Sequence, residues 1–354
     1  MYKLDISRHQ LQFKIPARTS RGSYTTHDMI VIRLEDEQGN VGYGECAPLP
    51  DLSSDGNSYN DISKIKEIIY DYLENIEKLE RLENIEQMLN FPALKFALES
   101  AFLNASRPAE FFSTPFAKGE AGIPINGLIW MSDYDNMCHQ IEHKLADGFR
   151  CIKLKIGAIN WSEELALLKM IRQRFSANEL TLRVDANGAF PIQDAMRKLE
   201  ELASFDTHSI EQPIRQGNRQ EMAFLCQNSP VPIALDEELI GLYTKEERIN
   251  LLETIKPQYI VVKPTLHGGL FGAEEWVTLA RERNIGSWLT SALESNIGLR
   301  SIALLAAYLY GPNFAQSSVE GSKTEILYQG LGTGQLFVEN TPSTLHLIKD
   351  ELYL

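Results

Sequence analysis

Cysteine is scarce in this chain: Cys46, Cys138, Cys151 and Cys226 are all there is in 354 residues. No two of them have CxxC spacing, which argues against a zinc knuckle or a redox pair. Four scattered thiols suit a reducing compartment and read as buried, inert side chains. Long apolar runs are missing too, and none approaches the roughly 20 residues of a membrane helix. The N-terminal stretch MYKLDISRHQLQFKIP alternates polar and apolar residues and lacks the apolar centre of a signal peptide. Together these absences predict a cytoplasmic protein. Positive charge is also short, with 34 Lys and Arg against 48 Asp and Glu, a net charge of −14. That balance argues against nucleic acid or an anionic membrane as main partner. It leaves room for a local cationic pocket that takes a small anion. Oligomeric state is not readable from the sequence, so a homo-oligomer stays open.

Up to about residue 115 the pattern is α+β. DMIVIRLE, the turn DEQGN and VGYGE read as a hairpin with Gly39-Asn40 at its tip. The loop APLPDLSSDG follows, and from Asn60 the spacing of Ile62, Ile65, Ile69 and Tyr72 predicts a helix. A second helix is expected at Pro92, carrying Leu94, Ala97, Leu98, Ala101 and Phe102. Beyond about 120 short β-rich runs recur: PINGLIW, CIKLKIG, TLRVDANG, SIEQPI, PIALDEEL, YIVVKP, SWLTSAL and FAQSS. Helical patterns separate most of them, the clearest being SEELALLKMIRQRF, with Leu165, Leu168, Ile171 and Phe175 in one stripe and Ser162 or Asn160 as cap. Starts roughly 20 to 30 residues apart match βα units. Eight in a row predict a closed parallel barrel, an α/β fold of the TIM type.

A parallel barrel places its chemistry at the C-terminal ends of its strands. Those ends are where this sequence puts charge. The second run carries Lys153 and Lys155, the third Asp185, the fourth Glu211, the fifth Asp236 and Glu237, the sixth Lys263. An unpaired buried charge costs several kcal/mol, roughly, so apolar strands do not collect such residues idly. Acids from three adjacent strands can converge on one hard cation, and oxygen-only ligation favours Mg²⁺ over zinc. Structural salt bridges to the lysines are the competing reading. Lys153 and Lys155, two apart, share one strand face and point into the barrel. Mutual repulsion and burial are expected to lower a lysine pKa, leaving a neutral base near pH 7. Metal, acids and amines together suit proton abstraction alpha to a carboxylate.

The order CIKLKIG … RVDANGAF … SIEQPI … ALDEEL … VVKPTLHGG … TSALESNIGL closely resembles the enolase superfamily, in its muconate-lactonising subgroup. The resemblance implies a modified (β/α)₇β barrel (residues 116–319) with an N-terminal α+β capping domain (residues 1–115), and a C-terminal tail (about 320–354) packing back on the cap. It implies Mg²⁺, with Mn²⁺ as a substitute, on Asp185, Glu211 and Asp236, with Glu237 behind them. Lys155 would be the base, Lys263 the group on the opposite face, and Lys153 would tune Lys155. The cap loops Pro16–Gly22 and Ala47–Ser53 would close the pocket.

Within the subgroup, GECAPLP, RVDANGAF, TSALESNIGL and GLGTGQLF look most like the o-succinylbenzoate synthase family of menaquinone biosynthesis. That implies dehydration of 2-succinyl-6-hydroxy-2,4-cyclohexadiene-1-carboxylate, a small anionic carboxylate substrate. Arg183 and Asn187 are then expected to contact substrate, and Thr290, Ser291 and Gly298 to receive its succinyl tail. Ordinary strand-end hydroxyls are the bland reading of Thr290 and Ser291. Rival enzymes on the same scaffold are an N-succinylamino acid racemase and a dipeptide epimerase. Ser317-Ser318-Val319-Glu320-Gly321 lacks the aspartate pair that dipeptide epimerases usually carry there. A barrel that binds metal and ligand without turnover, and a Schiff-base aldolase that would leave the acids idle, are the remaining alternatives.

Overall fold

A computed structural model describes residues 2–19, 22–56, 65–70, 90–311, 314–316 and 325–354. Strands β1 (Lys3–Thr19), β2 (Gly22–Glu35) and β3 (Val41–Cys46) form an antiparallel sheet in that order. The expected hairpin joins β2 to β3. Asp36 shapes its turn by accepting the N–H groups of Gln38 (2.9 Å) and Asn40 (2.8 Å), and Gly39 supplies a φ of +83°. Helix Pro92–Ser106 starts at its proline and lies on this sheet at backbone contact. A Cβ on Gly44 would stand 1.7 Å from the Ala97 carbonyl oxygen, and one on Gly42 1.9 Å from that of Ala101. Glycine on the strand against alanine on the helix therefore sets the packing distance. Of the earlier helical stretch, residues 65–70 are helical and bury Ile65 and Ile69. Ile62, Tyr72 and the segment Ser317–Gly321 lie outside the described residues, as do Ser20 and Arg21 of the first cap loop.

After β4 (Ile123–Pro124), seven parallel strands follow in chain order around the sheet: β5 (Gly127–Ile129), β6 (Cys151–Lys155), β7 (Thr181–Asp185), β8 (Ser209–Glu211), β9 (Ile233–Leu235), β10 (Tyr259–Val262) and β11 (Gly286–Leu289). A helix follows each of them, from Tyr134–Ala146 after β5 to Asn296–Tyr310 after β11. The alternation along β6 works as the sequence implies. Ile152, Leu154 and Ile156 are fully buried in the layer between strands and helices, which turns Lys153 and Lys155 inward. Helix Trp161–Arg174 takes Asn160 as its N-cap residue, and the Asn160 N–H donates to Glu163 (3.3 Å).

The eighth stave is not where the sequence reading puts it. β12 (Ala315–Gln316), inside FAQSS, pairs antiparallel with β13 (Glu325–Ile326). Leu327–Gly330 closes the barrel instead: Gly330 N–H donates to the Leu289 carbonyl (2.8 Å), and Asn126 N–H to the Gln329 carbonyl (3.0 Å). The barrel therefore runs past residue 319. The tail then divides. Leu336 and Val338 hydrogen-bond β1, and Phe337 stacks on Phe13 at 4.7 Å. Further on, β14 (His346–Ile348) and β15 (Glu351–Tyr353) form a sheet with β4. The fold is a (β/α)₇β barrel with an N-terminal cap of antiparallel strands. Among the described residues no helix is long and apolar enough to cross a membrane.

Candidate active site

Parallel register sets the strand ends level. Lys155 lies opposite Asp185, and Asp185 opposite Glu211. Asp236 follows β9 directly and starts the turn Glu237–Leu239; Lys263 follows β10. Lys153, Lys155, Asp185, Asn187, Glu211, Glu237, Lys263, Thr290 and Ser291 all line one pocket at the mouth of the barrel. Asp236 is fully buried at its edge.

In this structure the three proposed ligand acids each lean on a lysine. Lys153 Nζ is 2.5 Å from Glu211 and 3.1 Å from Asp185, Lys155 Nζ is 3.2 Å from Asp185, and Lys263 pairs with Asp236. Among the described residues no three acids or histidines gather closely enough to grip one ion. The ion-pair reading thus describes the metal-free geometry. It does not use up the acids. Glu211 Oε1, Asp236 Oδ1 and Glu237 Oε2 are buried with no hydrogen-bond partner. Orphaned carboxylate oxygens are costly in a dry site, and a hard divalent cation is the partner they lack. The residues present fit Mg²⁺.

The electrostatics correct the expectation for Lys153. The pKa of Lys153 is not lowered. Burial works against its charge, but Asp185 and Glu211 outweigh burial and raise its pKa. Lys263 is raised in the same way: burial opposes its charge, and Asp236, Glu211 and Glu237 override it. Glu211 is pushed up to about 8 by burial and by the charges of Asp185 and Asp236. Glu237 is pushed up to about 7, again by burial and then by Asp236. Asp185 goes the other way, because three lysines overcome its burial. His267 accepts the Lys263 backbone N–H (2.9 Å) on Nδ1, and burial holds its pKa down to about 3. A neutral imidazole therefore fixes the backbone that carries Lys263.

The expected substrate contacts sort differently. Arg183 lies one layer below Asp185, since strand neighbours two apart share a face but not a height. It donates to the Tyr328 carbonyl (2.8 Å), stacks 3.9 Å over Trp288 and does not line the pocket. Gly298 is also absent from the pocket, because its N–H donates to Glu45 (2.9 Å) in the first turn of Asn296–Tyr310. Ser291 lines the pocket with its hydroxyl spent: it donates to Glu294 and accepts from Thr333 Oγ1 (2.7 Å) and Leu293 N–H (3.2 Å). Asn187 accepts from Lys155 (2.7 Å) and donates to Glu237 (3.1 Å), so it orients the lysine. Thr290 Oγ1 is buried and without a partner. So is Asn126 Oδ1, which sequence reasoning missed. A polar residue interrupting PINGLIW between Ile125 and Gly127 was the available signal. Trp130 was also missed; its ring centre is 5.8 Å from Lys155 Nζ. From the second cap loop, Leu49 and Leu52 reach the pocket.

Comparison with known proteins agrees with this architecture. The family described as enolase C-terminal domain-like matches residues 136–341. An o-succinylbenzoate synthase from Desulfotalea psychrophila is 45% identical over 97% of this chain and 96% of its own length. An N-succinylamino acid racemase from Amycolatopsis sp is 26% identical over 88% of this chain and 83% of its own. The crystal structure of MenC from Desulfotalea psychrophila superposes with a TM-score of 0.78 at 40% identity, covering 100% of this chain and 99% of that one. On these grounds the chain belongs to the enolase C-terminal domain-like family.

Proposed function

We propose that this chain is an o-succinylbenzoate synthase, a Mg²⁺-dependent lyase of menaquinone biosynthesis. It would convert 2-succinyl-6-hydroxy-2,4-cyclohexadiene-1-carboxylate to o-succinylbenzoate and water. The observation that carries the reading is the set of strand-end acids with spare buried oxygens facing lysines in one pocket. The 45% identity over nearly the whole chain supports the substrate. Asp185, Glu211 and Asp236 are the proposed ligands, with Glu237 beside them and Mn²⁺ as a substitute ion. When bound, the ion supplies a Lewis acid for the substrate carboxylate.

Lys155, oriented by Asn187, removes the ring proton alpha to that carboxylate. The electron pair moves into the ring system, the carbon–oxygen bond at the hydroxyl breaks, and the proton held on Lys155 leaves with the hydroxyl as water. The ring becomes aromatic, so the second step is downhill. Lys263 and Lys153 keep their charge and offset that of the enediolate. Thr290 and Asn126 offer the free polar atoms for the rest of the substrate. Residues 1–115 act as the cap, and the catalytic barrel extends from 116 through Gly330. A cytoplasmic site of action and a small carboxylate partner go with this reading, and a homo-oligomer is compatible with it.

A second reading, racemisation of N-succinylamino acids, draws on Lys263 sharing the pocket with Lys155. The test is an absorbance assay of the cyclohexadiene beside a racemisation assay, each with Mg²⁺ and with chelator. The expected result is Mg²⁺-dependent dehydration that falls at least about 100-fold in Lys155→Ala. Racemisation without dehydration would hand the site to the second reading. Full dehydration in Lys155→Ala would remove the base assignment.

A further inference from the structure

Two histidines outside the catalytic machinery converge on a single point. His139 and His143 lie four residues apart on helix Tyr134–Ala146, so they stack on one face one turn apart. Their rings meet edge to face at 4.3 Å, and the two Nε2 atoms stand 3.0 Å apart. A hydrogen bond joins the two, so each ring turns its ε nitrogen towards the other. An ion held by both nitrogens sits off the line that joins them, and these exposed rings are free to turn towards it.

The spacing also selects the ion. With metal–nitrogen bonds of about 2.05 Å, two nitrogens 3.0 Å apart subtend an angle of about 94°. Tetrahedral zinc wants about 109°, which calls for about 3.3 Å. An angle near a right angle suits the square-planar or octahedral preferences of Cu²⁺ and Ni²⁺. The surroundings favour a cation. His143 lies in the last turn of its helix, at the negative C-terminal end, and His139 one turn before it. Asp147, one turn beyond His143, lines the same groove. Lys144, next to His143 in the chain, turns its ammonium over the Phe149 ring at 4.7 Å. Between the two histidines, Gln140 clamps the Trp130 backbone by accepting its N–H (2.8 Å) and donating to its carbonyl (3.2 Å), which holds the helix in place. Among the described residues no third His, Cys, Asp or Glu joins the pair, so water fills the remaining positions.

We propose that His139 and His143 form a bidentate site for a divalent ion of the copper and nickel class, separate from the strand-end carboxylates. The groove they edge shares Asn126, Leu128, Trp130, Gly332 and Thr333 with the catalytic pocket. The ion therefore sits in a groove that has a wall in common with the catalytic pocket. This site does not depend on which substrate the barrel takes.

The experiment is calorimetric titration of Ni²⁺ into the untagged chain with Mg²⁺ at saturating concentration. Parallel titrations use His139→Gln and His143→Gln, whose unchanged Mg²⁺-dependent turnover shows that they fold. The expected result is one Ni²⁺ per chain, bound at least about tenfold more weakly in either variant, since a lost ligand costs no less than a lost supporting contact. Cu²⁺ should bind more tightly than Ni²⁺. Equal affinity in wild type and both variants would overturn the proposal and assign the ion to the carboxylates. A loss in only one variant, or no binding at all, would overturn the chelate.

Discussion

Among the buried glutamates of the described residues, two pairs serve opposite ends. Glu45 and Glu99 belong to the cap, on β3 and on helix Pro92–Ser106; Glu211 and Glu237 stand at the barrel mouth. Burial pushes the first pair up to about 7 and the second to about 8 and about 7. What differs is the partner. Glu45 accepts the N–H groups of Ser295 (2.8 Å) and Gly298 (2.9 Å) and the Ser295 hydroxyl (2.5 Å). Glu99 accepts those of Leu270 (2.5 Å) and Phe271 (3.3 Å), and its other oxygen faces Lys95 at 3.8 Å. Each cap glutamate thus sits on the N-terminus of a barrel helix, where loose amide protons and the helix dipole welcome an acid. Glycines make room: a Cβ on Gly269 would stand 2.3 Å from the Glu99 carboxylate. The mouth glutamates hold one partner each, Lys153 or Asn187, and keep one oxygen bare. Burial alone therefore does not mark a catalytic acid. Nor does one bare oxygen, since Glu99 Oε1 also lacks a hydrogen-bond partner; the mouth differs in gathering three such oxygens, on Glu211, Asp236 and Glu237, beside its lysines.

Substitutions sharpen this contrast, and the largest effect is expected at the mouth. Glu211→Gln should lower turnover at least about 100-fold through loss of a ligand, while the melting temperature of the metal-free protein changes little. A thermal scan beside the activity assay checks both halves. Glu45→Ala should do the reverse. It strands three donors at a buried helix start and should destabilise the fold by about 3 kcal/mol, read by urea unfolding. Any turnover that remains should respond normally to Mg²⁺. The smallest effect concerns pH. Glu99 has a native pKa near 7 against a usual 4.5, so the folded chain binds more protons than the unfolded chain between those values. The stability it contributes is present at about pH 4.5 and is lost as pH rises through about 7. Glu99→Gln cannot titrate, so its melting temperature should fall less between pH 5 and pH 8 than that of wild type. Parallel curves would show that Glu99 is not the group responsible.

Much of the barrel was legible because burial writes itself into strands and helices as periodicity. Charged residues inside apolar runs gave away Lys153, Lys155, Asp185, Glu211, Asp236 and Lys263, all at or beside the mouth. Height within the barrel was not legible. Arg183 and Asp185 share a strand face, and nothing local says that one stacks on Trp288 below while the other reaches the pocket. Hydroxyl commitments were hidden for the same reason, since Ser291 is used up by Thr333, 42 residues away. Glu45 lies in the GECAPLP motif, yet its partners are 250 and 253 residues on. The eighth stave was misplaced because FAQSS does hold a short strand, but one paired with Glu325–Ile326, while closure depends on hydrogen bonds made by Leu327–Gly330. For Lys153 the expected lowering is reversed because the acids that act on it come from β7 and β8, strands that the pattern of β6 alone does not show.

The central claim is that the mouth acids exchange lysine for a divalent cation. A crystal grown with Mg²⁺ tests it most directly. The account predicts octahedral density about 2.1 Å from one carboxylate oxygen each of Asp185, Glu211 and Asp236. Carboxylates still seated on Lys153 and Lys263, with no density between them at saturating Mg²⁺, would contradict it.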